Sequence, residues 1–268
     1  MPEGIVKIAS LLAYDGRSFH GFQYQPNLST VASELRSAYS KVFGQEFEIF
    51  CAGRTDAGVH AFGQVVHIEC PKDGLRFSLD EIDFTKIKKS LNSIVFPHIF
   101  IKEIDQVPNE FHARYSAVSR TYKYYIRESF DRFPWEQGYV WHIGQELDLK
   151  VMNLACDSLI GEHSFASFCR KPKDKEVSLV RRVYDVSLVR NANDILEFTL
   201  TASSFCHQMV RSIIGTLVEV GLSKIPASVL KKAQSQEDRS AIKHIAPPDG
   251  LYLHKVRYNI TSPLKWLA

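Results

Sequence analysis

Phe50-Cys51-Ala52-Gly53-Arg54-Thr55-Asp56-Ala57-Gly58-Val59-His60-Ala61-Phe62-Gly63-Gln64-Val65-Val66 is the stretch on which the rest of the chain turns. Ahead of it, Glu46 to Phe50 reads as a strand. Behind it, Val66, Ile68 and Cys70 alternate with Val65, His67 and Glu69, the period of a second strand. The loop between them carries Gly53, Gly58 and Gly63. Glycine suits a backbone that must turn sharply or approach a ligand closely. One arginine, one aspartate and one histidine lie among those glycines, with Thr55 beside the aspartate. Asp56 is the only carboxylate between Glu48 and Glu69. A single aspartate beside a cation on such a loop suits a nucleophile or a general base. The same residues also suit a tight turn closed by an Asx-type hydrogen bond.

Outward from the loop, strands and helices alternate. Ile5 to Tyr14 reads as a strand closed by Asp15-Gly16. Ser29 and Thr30 are candidate caps of a helix bearing Val31, Leu35, Ala38, Tyr39 and Val42 on one face, with Gly44 at its stop. A second helix is expected over Thr85 to Leu91 and a strand from Ile99 to Ile101. Asp105 to Asn109 reads as a boundary, giving domains of 1–104 and 105–268. In the second, Arg120 to Ile126 alternates as a strand, and Leu149 to Ile160 reads as a helix. Val183 to Val189 and Leu196 to Thr201 form a hairpin across Asn191 to Asp194. Met209 to Leu222 has the strongest helical spacing, with Arg211 at the edge of the apolar face. Leu251 to Tyr258 alternates as a last strand. The fold class is therefore α+β.

Composition narrows the function. The 268 residues are 45% apolar and 24% charged, as in a globular protein. No apolar run approaches the roughly 18 residues of a membrane span. Met1 to Gly4 resembles no signal peptide, and the expected compartment is the cytoplasm. The five cysteines are spread along the chain without a Cys-x-x-Cys pair. That argues against a disulfide framework and against zinc, and fits a reducing compartment. The net charge is only +3. Arg170, Lys171, Lys173, Lys175, Arg181 and Arg182, against Asp174 and Glu176, could supply all of it. This segment is either a solvated loop or an edge that meets phosphates.

The loop Gly53 to Ala61 resembles the active-site motif of the TruA family of tRNA pseudouridine synthases. Further matches follow in order: Tyr14-Asp15-Gly16 with Gly21 and Gln23; Phe111-His112-Ala113-Arg114; Arg120 with Tyr122 and Tyr124; Phe205 to Arg211 with Gly215; and Gly250 to Leu253. Lys72 to Asp83 and Lys171 to Leu179 carry no recognisable family pattern. The resemblance implies two ferredoxin-like (RRM-like) domains whose antiparallel sheets join, with the active-site cleft between them. It implies a homodimer acting on tRNA without a cofactor; His60 and His207, lacking a ligand cluster, do not suggest a metal. The implied substrates are uridines on the 3′ side of the anticodon stem-loop, tRNA positions 38–40. By the same resemblance Asp56 is the nucleophile, and Tyr122 stacks on the uracil or takes its C5 proton. Arg211 pairs with the aspartate, and Arg54 holds the flipped-out nucleotide. Thr55 and His60 of the motif, with Lys171, Lys173 and Arg181 of the basic segment, complete the expected substrate-binding set. The competing expectations are a catalytically inactive tRNA-binding protein of the same fold and a glycoside hydrolase. The latter needs a second acid near Asp56, which the motifs do not offer.

Overall fold

The computed structural model describes residues 5–71, 82–170, 177–259 and 264–267. Lys171 and Lys173 lie outside them. The chain is α+β and divides into two compact units, Met1–Val118 with Leu253–Ala268, and Ser119–Tyr252. Among the described residues no helix is long and apolar enough to cross a membrane.

The first unit runs β1 (Ile5–Tyr14), α1 (Val31–Phe43), β2 (Phe50–Cys51), β3 (His60–Pro71), α2 (Phe84–Val95), β4 (Ile99–Val107). Its sheet order is β4-β1-β3, with β2 on β3, and these pairs are antiparallel. Helix α1 forms where its caps are expected. The Thr30 side chain accepts from the Ser33 amide in a capping box, and Gly44 closes the helix in the left-handed conformation. Its buried face is Val31, Ala32, Leu35, Ala38, Tyr39 and Phe43. Each large apolar side chain buried there contributes about 1.5–3 kcal/mol. Strand β2 is shorter than the expected Glu46–Phe50 and starts where that stretch ends. Strand β4 continues to Val107, through the start of the expected boundary. The outer side of β4 is met by α2: Asn92 Nδ2 donates to the Ile101 carbonyl at 2.9 Å, and Asn92 Oδ1 accepts from the Ile101 amide at 2.7 Å. One amide side chain thus satisfies both backbone groups of an edge residue.

The second unit contains β5 (Ala117–Arg127), nearly all of it, then β6 (Trp141–His142), α3 (Leu149–Cys156), β7 (Gly161–Ser164), β8 (Val180–Arg190), β9 (Leu196–Ala202), α4 (Met209–Gly221) and α5 (Val229–Gln236). Its antiparallel order is β5-β9-β8-β7, with β6 parallel to β5. Asn191 shapes the β8–β9 turn by accepting from the amides of Asn193 and Ile195. Helix α3 stops four residues before the expected Ile160 and tightens into a 3-10 turn at Asp157–Leu159. The last strand, β10 (Leu251–Tyr258), lies beside β3 in the first unit from Leu253 onward.

Two cysteines come together that the sequence keeps apart. Cys169 and Cys206 are 37 residues apart in sequence, yet their Cα atoms stand 5.7 Å apart, within reach of a disulfide. Distance along the chain concealed proximity in the fold. Cys51, Cys70 and Cys156 are free thiols.

Candidate active site

The loop of the first unit leaves β2 at Cys51 and enters β3 at His60. Its backbone is tied at each step. The Phe22 amide donates to Thr55 O at 3.0 Å, the Val59 amide to Asp56 O at 3.1 Å, and the Gly58 amide to Phe19 O at 3.4 Å. Gly21 makes the first of these ties possible. Its φ is +93°, and a Cβ there would stand 3.0 Å from Thr55 O and 3.3 Å from Ala57 N. The N-terminal motif and the aspartate loop, distant in sequence, are therefore one structure. Asp56 is half-buried on this turn, Thr55 is buried and Arg54 is exposed. A thiol nucleophile in the same stretch is disfavoured, because burial pushes Cys51 up to about 11. His60 is interior, with 1% exposure. Its Nδ1 accepts from the Gly16 amide at 3.1 Å, so its ring fixes the turn after β1.

Below this loop, Phe111-His112-Ala113-Arg114 is a turn built on two histidine acceptors. His67 Nδ1 accepts from the Ala113 amide at 3.2 Å. His112 Nδ1 accepts from the amides of Arg114 and Tyr115 at 3.1 and 3.3 Å. The rings of His67 and Phe50 stack at 4.8 Å. Burial, then His112 and Lys7, lowers His67 to about 3, and burial with Lys7 also lowers His112.

Tyr122, Arg211 and Arg181 belong to the second unit. Tyr122 is on β5, buried, opposite Leu200 in register and edge-on to Phe205 at 4.8 Å. Arg211 is in the first turn of α4. Its Nε donates to Ala246 O at 2.8 Å, and the Ala246 amide donates back to Arg211 O at 2.9 Å. One bond holds the side chain and the other the backbone, so Arg211 is tied to Ala246 at both. Arg181 Nη1 donates to Ser178 O and Val180 O at 2.8 and 2.6 Å, turning the side chain onto its own strand. Arg170 is exposed, and its amide bonds His207 O at 3.0 Å. Among the described residues no group of three or more His, Cys, Asp or Glu could hold a metal ion.

Gln64 is a residue that the sequence alone does not single out. It is fully buried in β3 and reaches back to the loop. Its one signal is a polar residue directly ahead of the apolar Val65, Val66 and Ile68.

A family model described as tRNA pseudouridine synthase matches residues 11–116 and 155–259. Similar curated proteins include the tRNA pseudouridine synthase A of Thermotoga petrophila, 36% identical over 94% of this chain and 99% of that one. That of Listeria monocytogenes serotype 4a is 34% identical over 95% of this chain and 100% of its own. That of Thermoanaerobacter sp. strain X514 is 37% identical over 92% and 98%. Among solved structures, a chain of a Cbf5-Nop10-Gar1 complex aligns at a TM-score of 0.30 and 11% identity, over 79% of this chain and 54% of that chain. That likeness is too slight to bear on the fold. The family match reaches into both units and takes in the aspartate loop, Phe111 to Arg114 and Phe205 to Arg211, while Arg120, Tyr122 and Tyr124 lie between its two matched stretches; with relatives aligned over more than nine-tenths of the chain, this chain belongs to the tRNA pseudouridine synthase family.

Proposed function

We infer that the chain isomerises uridine to pseudouridine in tRNA, with Asp56 as the nucleophile. The observation that carries the assignment is the loop itself: a half-buried carboxylate, held by backbone ties on both sides, in a chain of this family. The reaction breaks the bond between ribose C1′ and uracil N1, turns the base, and joins C1′ to C5. A carboxylate that attacks and later leaves divides this exchange into two easier steps. Exposed Arg54 and adjacent Thr55 suit contact with a nucleotide drawn out of its stack. His60 serves the substrate through the turn it fixes. Tyr122 and Arg211 keep the catalytic roles that the resemblance implies. Lys171, Lys173 and Arg181 keep their place as phosphate contacts. No cofactor is required in this scheme.

The same reading places the target uridines on the 3′ side of the anticodon stem-loop and the working enzyme in the cytoplasm as a homodimer. It takes 1–104 and 105–268 as two ferredoxin-like domains. The β-α-β-β-α-β sequence of the first unit and its strand order β4-β1-β3-β2 support that reading for the first. An inactive RNA-binding protein is not favoured, because Asp56, Arg54, Tyr122 and Arg211 are all in place.

Asp56→Asn is the direct test. Pseudouridine formation on tRNA should vanish, while binding, which rests on many phosphate contacts, should persist. Multiple turnover by the purified variant would refute Asp56 as the nucleophile.

A further inference from the structure

The Asp56 loop rests on a buried polar chain that runs beneath it. Gln64 Nε2 donates to Gly53 O at 2.7 Å and to Tyr14 Oη at 3.4 Å. Tyr14 Oη lies 2.8 Å from Thr55 Oγ1. An amide nitrogen only donates, so the tyrosine oxygen accepts from Gln64, and the same oxygen shares a hydrogen bond with the Thr55 hydroxyl. The links run in sequence, Gln64 to Tyr14 to Thr55. All three residues are buried, and Gln64 is at 0% exposure. Burial holds the Tyr14 hydroxyl far above its ordinary range, so it stays a donor at every working pH. In a buried setting each such link is stronger than in water and holds its partners firmly. It grips the loop at Gly53 and at Thr55, the residue next to Asp56. The backbone ties at Thr55 O and Asp56 O hold the same turn from the other side.

We propose that Tyr14 and Gln64 are positioning residues for the reaction: by holding Gly53 and Thr55 they present the Asp56 carboxylate in one orientation. This rests on Asp56 being the nucleophile. A displacement of even 1 Å at such a group costs roughly 100-fold in rate.

Two variants test it in the full-length protein. Tyr14→Phe keeps the ring beside Phe22, 6.4 Å away, and removes only the hydroxyl. Gln64→Met keeps the side-chain length and removes both donated bonds. Three readouts are taken: single-turnover pseudouridine formation on a tRNA transcript, tRNA affinity by filter binding, and amide exchange over residues 53–59. The expected result is a rate lower by roughly 10- to 100-fold, with Kd within about twofold. The double variant should be no slower than the slower single, because both act through one chain. Exchange over 53–59 should quicken while α1 keeps its protection. Wild-type rates in either folded variant overturn the proposal. So does a Kd that weakens in step with the rate, or unchanged exchange over 53–59. If Tyr14→Phe does not fold, Gln64→Met decides alone. An active Asp56→Asn would strike the nucleophile assignment, and the exchange measurement would still judge whether Tyr14 and Gln64 hold the loop.

Discussion

His67 is a titratable side chain with 0% exposure, set between Phe50, Phe111 and His112. Its Nδ1 accepts a backbone N–H, which leaves the proton on Nε2. That atom is buried with no hydrogen-bond partner among the described residues; Glu69 Oε1 is 3.9 Å away. Lys7, nearby, opposes a positive ring. Burial therefore keeps His67 neutral in the fold down to about pH 3, whereas an unfolded histidine takes up a proton near 6.5. The sign follows from linkage. Between these values the unfolded chain binds the extra proton, so stability is greatest above pH 6.5 and falls as pH falls toward 3. From pH 7 to 5.5 this one group should remove about 1 kcal/mol. Urea unfolding of wild type and His67→Phe at the two pH values is the check. The variant should be less stable at pH 7, having orphaned the Ala113 amide, yet show a shallower pH dependence. An identical pH dependence in both would refute the assignment. At this scale the sequence exposes chemistry better than support. Asp56 stands out as a lone carboxylate among glycines. Gln64, which sits under it, resembles any strand residue, because its partners Gly53 and Tyr14 come together only on folding.

Helix α4 is the clearest element in the sequence, and its bounds and length fall nearly where its spacing indicates. Its burial goes further than one face: Ser212, Gly215 and Thr216 are inside as well. Gly215 accounts for part of this. A Cβ there would lie 2.6 Å from His244 O and 2.9 Å from Ala246 N, so the backbone of 244–246 runs against the helix. Ala246 is the residue that Arg211 grips. In an exposed helix, glycine to alanine gains up to about 1 kcal/mol. Here the added methyl meets backbone, which cannot turn aside as a side chain can. Gly215→Ala should therefore destabilise by about 1–3 kcal/mol, and lower activity by shifting Arg211. Thermal unfolding beside single-turnover rates will show it, and a stabilised, fully active variant would rule it out. Two other elements are hidden in the sequence for physical reasons. Strand β4 is legible only to Ile101, because Lys102 and Glu103 break the apolar run. In the fold both face solvent, and pairing with β1 carries the strand to Val107. Helix α5 buries only Leu230 and Ala233, too thin a stripe to stand out.

For the whole molecule, charge is the property that tRNA would read. The formal net charge of +3 gives no general attraction to a polyanion, so binding must rely on local cations. The segment from Arg170 to Arg182 concentrates six cations against two acids. Two of these cations are engaged within the protein. Arg181 bonds the carbonyls of Ser178 and Val180, and Arg182 faces Glu162 at 3.6 Å. Exposed ion pairs of the latter kind contribute about 0–1 kcal/mol and yield readily to a phosphate. The lysines of the segment are proposed as phosphate contacts on their charge alone. Removing one lysine–phosphate interaction should flatten the dependence of log K on log salt by roughly 0.7–0.9. Lys171, Lys173 and Lys175 replaced together by alanine should then lower the slope by about 2–3 if all three touch phosphates. The rate at saturating tRNA should not change, since none of them is proposed to touch the reacting base. Filter binding at several KCl concentrations between about 50 and 200 mM would measure the slope. A slope equal to wild type would show that the segment is a solvated loop and that the affinity for tRNA arises elsewhere on the surface. A slope that falls together with the saturated rate would show instead that the segment also positions the substrate.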